Sequence, residues 1–138
     1  MGDTVGLYRT LLRLIELIPN DLVLQNNSAQ ISLLLGTDLE RACRVAADVS
    51  NKEPSNAAYV STYAFSVYVR GDTNTALHAM NQLSPEQLRT PSIAIYYGVI
   101  LAAAGQKDKA REYLSLVSEA NLLPEEKALA NKARNAAE

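Results

Sequence analysis

Gly71-Asp-Thr-Asn-Thr-Ala76 and Gly105-Gln-Lys-Asp-Lys-Ala110 stand 34 residues apart, and Thr37-Asp-Leu-Glu-Arg-Ala42 stands another 34 before the first of them. Each stretch runs from a small or turn-forming residue to an alanine. Val49, Leu83 and Val117 keep the same spacing, seven residues past each alanine. Three positions holding one period mark an internal repeat. A repeat has to be found before any element is assigned, because each unit is then one supersecondary motif that cannot bury its apolar face alone.

Outward from these stretches, each unit holds two helical segments. Upstream of Gly71, Val60, Tyr63, Ala64 and Val67 recur at i, i+3, i+4 and i+7, the one-face spacing of a helix over about 56–70. Gly71 is expected to stop it, since glycine enters the left-handed conformation beyond a helix C-terminus without a Cβ penalty. Ala76, Leu77, Met80 and Leu83 then share one stripe of a second helix over about 73–83. The third unit repeats the pattern with Ala94, Tyr97, Gly98 and Leu101, then Gly105, then Ala110, Tyr113, Leu114 and Val117. Helix starts are signed too. Thr37 with Glu40, and Ser84 with Gln87, have capping-box spacing, and Pro85, Pro91 and Pro124 sit where a first helical residue lacks no useful N–H. Glu125 and Glu126 open the last helix, while Lys132 and Arg134 lie nearer its end, as the helix dipole favours. No stretch sustains strand alternation, so the expected fold is all-α.

A helix–turn–helix unit of this length resembles the tetratricopeptide repeat, whose pattern places a small residue and an aromatic in the first helix and an alanine in the second. The second unit carries the resemblance at Val60, Tyr63, Ala64, Val67, Gly71, Ala76 and Met80, and the third at Ala94, Tyr97, Gly98, Leu101, Gly105, Ala110 and Leu114. The first carries it at Ala29, Ala42, Ala46 and Pro54, with one extra residue between Gly36 and Ala42. The resemblance implies a right-handed superhelical array of antiparallel helix pairs, an α-solenoid. The chain then divides as a single domain over 1–138: a half-repeat or N-terminal cap at 4–18, repeats at 20–54, 55–88 and 89–122, and a capping helix at 123–138 with Ala128, Leu129 and Ala133 inward. The leading helix, with Leu7, Leu11, Leu14, Ile15 and Ile18 apolar, aligns with the second half of a preceding unit, so a piece of a longer protein is expected.

Bulk composition excludes several classes. Hydrophobic residues make up 48% of the 138 and charged residues 20%, a globular balance. The formal net charge is −2, and the densest basic group, Lys107, Lys109 and Arg111, is interleaved with Asp108 and Glu112, so no nucleic-acid partner is expected. The longest apolar runs fall far short of the roughly 20 residues of a membrane span. A single cysteine makes no internal disulfide, and a cytoplasmic location is the default.

No catalytic set emerges. His78 is the one histidine, and with Cys43 alone there is no metal-ligand set and no Cys/His pair. His78 reads as a surface helix residue and Cys43 as a small buried thiol. The six glycines form no phosphate-binding pattern. No cofactor, metal or enzymatic activity is expected. By the resemblance, the first helix of each repeat lines a concave face. Asn26, Asn27, Gln30, Ser61, Thr62, Phe65, Tyr68, Ile95, Tyr96 and Val99 would project there, an aromatic and amide-bearing groove suited to a peptide or helix of a protein partner. Ordinary packing between helices accounts for the same residues equally well. Tyr63 and Tyr97 are expected in the core. The groove lacks the basic residues with which some relatives clamp a terminal carboxylate. The alternative role is structural, a homo-oligomer or array stacking through exposed repeat ends.

Overall fold

A computed structural model describes residues 3–138, and among them are nine α-helices, one short 3-10 turn at Glu119–Asn121 and no strand. The helices are α1 (Thr4–Leu17), α2 (Leu22–Leu35), α3 (Leu39–Lys52), α4 (Ala57–Val69), α5 (Thr73–Met80), α6 (Pro85–Leu88), α7 (Pro91–Ala103), α8 (Lys107–Leu114) and α9 (Pro124–Ala136). Most starts are fixed by a side chain that satisfies an orphan backbone N–H. Asp21 accepts from the Leu24 N–H at 3.0 Å, Asn56 from Tyr59 at 3.2 Å and Asp72 from Thr75 at 3.1 Å. Ser84 and Gln87 form the expected reciprocal capping box.

Two local expectations are corrected. Thr37 and Glu40 form no capping box. Instead α2 ends at Gly36 with φ 71°, the counterpart of Gly71 at φ 92° and Gly105 at φ 82°. The extra residue of the first unit is absorbed by Asp38, the one non-glycine residue at positive φ among those described. Its carboxylate caps nothing and accepts a hydrogen bond from the Tyr8 hydroxyl of α1 at 2.9 Å. The second correction concerns α5, which stops at Met80 rather than running to Leu83. Ser84 precedes Pro85 and is therefore held extended, at ψ 156°, and the chain turns into the one-turn helix α6 instead.

Packing follows the period. α2 packs on α3, α4 on α5 and α7 on α8. Each pair also meets the next, α3 on α4 and α5 on α7, while the first helices touch along the row, α2 on α4 and α4 on α7. The small residues sit where paired helices approach: Ala29, Ala64, Ala42, Ala76 and Ala110 are all buried. A Cβ on Gly98 would lie 2.6 Å from Cγ of Leu114. α7 is enclosed on every side, with Ile93 to Leu101 continuously buried, as a helix apolar all round must be. Tyr97 is in this core as expected. Its hydroxyl donates to Asn81 Oδ1 at 2.8 Å, and its ring meets Tyr113 edge-on at 4.7 Å. Tyr63 is not: it is half-buried, because α4 turns Phe65 inward and Tyr63 lies on the opposite side of that helix.

The last helix does more than end the row. α9 packs on α7 and α8 and also reaches α2. At its first turn Glu125 accepts a hydrogen bond from Thr4 of α1, and Glu126 accepts one from the Tyr96 hydroxyl at 2.6 Å. It therefore crosses the face lined by α2, α4 and α7. No helix among the described residues is long and apolar enough to cross a membrane.

Candidate functional site

The ten residues expected on one open groove fall into three groups. Asn26, Asn27 and Gln30 of α2 meet Ser61 and Thr62 of α4 around a polar cavity of about 210 Å³, closed by Ala58 and by Ser92 and Ile93 of α7. The hydroxyls on these helices are served locally. Thr62 donates to the Ala58 carbonyl at 3.1 Å, and Ser28 to the Gln25 carbonyl at 2.9 Å, the usual refuge of a hydroxyl inside a helix. Asn26 is the exception. It is 5% exposed, and its Oδ1 has no hydrogen-bond partner among the described residues. A buried polar group left unmatched costs about 1–3 kcal/mol.

Phe65 and Tyr68 form the second group, and the expectation is corrected in part: Phe65 is 2% exposed and belongs to the core, while Tyr68 is half-buried. Their rings stack at 6.0 Å, and together with Leu33, Leu34 and Val69 they form one wall of an apolar cleft of about 320 Å³. The opposite wall belongs to α9 and carries Ala128 and Leu129 between Glu125 and Lys132. One charge of each sign thus frames an otherwise apolar opening.

Ile95, Tyr96 and Val99 are the third group, and here the open-groove expectation is corrected in favour of packing. α9 lies over them. Val99 packs with Leu114 and Ala133, and Tyr96 is 1% exposed, tilted on Phe65 at 4.8 Å. Burial, reinforced by the Glu126 carboxylate beside it, pushes the Tyr96 hydroxyl well above its ordinary pKa. Ile95 borders a further cavity with Gln30, Leu122 and Glu126.

Comparisons with known proteins add no relative. No family model, curated protein or solved structure matches the chain. The geometry itself carries the reading of the site.

Leu33, Leu34, Val69, Ser92 and Ile93 line these openings without having been singled out. The run Leu33-Leu34-Leu35 was the available signal, since the repeat pattern uses only part of it. Outside the groove, Cys43 is a buried thiol whose Sγ lies 3.8 Å from the Ser66 carbonyl, and His78 is exposed. Among the described residues no three His, Cys, Asp or Glu side chains gather as metal ligands would.

Proposed function

We propose that the chain is a tetratricopeptide-like α-solenoid, a right-handed superhelical array of antiparallel helix pairs, acting as a protein–protein interaction scaffold. Its ligand is an extended peptide or a helix of a partner protein, taken on the face of α2, α4 and α7. The array reading is supported by the 34-residue period of alanines, each lying at a close contact between helices. The binding reading is carried by one observation, the unmatched amide of Asn26 at the wall of a polar cavity. An acceptor held out of water without a donor is met by the N–H of a peptide main chain. Gln30, Ser61 and Thr62 beside it supply further uncharged partners, and the Phe65–Tyr68 stack offers an apolar seat for a side chain of the same peptide. Main-chain contacts give affinity and such seats give selectivity. No chemical reaction is part of this reading.

A peptide array probed with the intact protein tests it. Bound sequences should lose affinity on Asn26→Leu and on Tyr68→Ala, while His78→Ala, on the far stripe of α5, leaves them unchanged. Equal binding by all three variants would remove the site.

The second reading is self-association. α1 leaves Val5, Leu7, Leu14, Leu17 and Ile18 exposed, Leu17 by 77%, with only Leu11 and Tyr8 of its apolar residues buried against α2. Such a face is where a further repeat or a second copy would stack.

A further inference from the structure

We infer that α9 is a displaceable occupant of the concave face, holding the place of an amphipathic partner helix that is acidic in its first turn and carries larger apolar side chains. This rests on the groove reading above and names the partner class for its covered part.

The two sides of the contact are mismatched. Beneath α9 lie large side chains, Phe65, Tyr96 and Val99. α9 answers them mostly with Ala130, Ala133 and Ala137, and its one large apolar residue, Leu129, is only partly buried. The shortfall is visible as the apolar cleft left between α9 and the α2–α4 wall. Inside the row the opposite holds: Met80, Ile100, Leu101 and Leu114 fill the space between α5, α7 and α8 almost without exposure. What fixes α9 is in good part polar, Glu126 to Tyr96, Glu125 to Thr4, and Arg134 to Glu119 and the Leu114 carbonyl. A helix held by few large apolar contacts and a handful of side-chain hydrogen bonds opens before the globule does. A competing helix with leucine where α9 has Ala128, and with glutamate placed to accept from the Tyr96 hydroxyl, would keep the polar contacts and fill the cleft.

Native-state hydrogen exchange on the intact chain is the first arm of the test. The amides of α9 should exchange at least about tenfold faster than those of α7, through an opening that leaves the row folded. Exchange of α9 only together with α7 would overturn the inference. The second arm uses a fluorescent synthetic peptide of residues 123–138 with Ala128 replaced by leucine. It should bind the Leu129→Asp variant, whose own α9 is weakened, about tenfold more tightly than the unaltered chain, because competition in cis reduces apparent affinity. Equal affinity, or no binding to either, contradicts displacement. Loss of the row's fold in Leu129→Asp would count against it as well, since α9 would then be a layer of the core. Array peptides that bind through Asn26 while α9 exchanges with α7 would sink this inference and leave the groove reading standing. An α9 that opens over a face binding no peptide at all would sink both.

Discussion

At the scale of single residues, Asn26 and Gly98 carry opposite lessons. The buried Oδ1 of Asn26 has no hydrogen-bond partner among the described residues. Asn26→Leu, nearly the same in shape, should therefore leave the melting temperature unchanged or raise it, since removing an unmatched buried polar group is neutral or favourable. A fall of more than about 5 °C in a thermal melt would show that the amide is structural after all. Gly98 is fixed by steric need. An added Cβ would crowd Cγ and Cδ2 of Leu114, itself 1% exposed and without room to retreat. Gly98→Ala gains about 1 kcal/mol of helix propensity and loses about 1–3 kcal/mol to overpacking. A net loss in denaturant unfolding is expected, whereas a more stable variant would mean that α7 and α8 are less tightly apposed. Gly98 was legible in the sequence because it shares the periodic position of Ala29 and Ala64. Asn26 could be placed on a face but its missing partner could not be read, since satisfaction depends on what α4 and α7 bring to it.

Elements were legible where a local rule decided them. The stops at Gly71 and Gly105, the Ser84–Gln87 box and the proline starts all formed, because capping and backbone conformation depend on neighbours in the chain. The Thr37–Glu40 box failed for an equally local reason, the inserted residue that puts Asp38 at positive φ and turns its carboxylate towards Tyr8. The path of α9 had no such signal, for it rests on contacts between Tyr96 and Glu126 and between Thr4 and Glu125. The first of these makes a pH prediction. The folded state raises the pKa of Tyr96 above the ordinary 10.0, chiefly by burial, so it keeps the phenolic proton where the unfolded chain has released it. The contribution is whole below about pH 10 and is lost as pH rises towards the folded pKa. Tyr96→Phe should flatten the decline of stability between about pH 10 and 11.5 in denaturant titrations. An unchanged alkaline slope would show that the hydroxyl is not held as described.

For the whole molecule, the period of alanines sets a row of helix pairs, and the row exposes two unlike surfaces. One is the apolar side of α1, where Leu7, Leu14 and Leu17 meet solvent. Light scattering across a concentration series should show association weakened by Leu14→Glu with Leu17→Glu if that face stacks copies, and a mass independent of concentration would dismiss the stacking role. The other is the face of α2, α4 and α7, where an amide group, an aromatic stack and the seat of α9 lie side by side. Sequence reasoning set these residues on one side of the helices and could not foresee that Phe65 and Ile95 are buried while Tyr96 and Val99 lie under α9, because nothing periodic tells a capping helix which way to turn. The most direct measurement is a ¹H–¹⁵N titration of the intact chain with the tightest peptide from the array. Perturbed amides should cluster at Asn26 to Gln30, Ser61 to Tyr68 and along α9. Shifts confined to α1, or none at saturating peptide, would contradict the claim that this face is a peptide-binding groove.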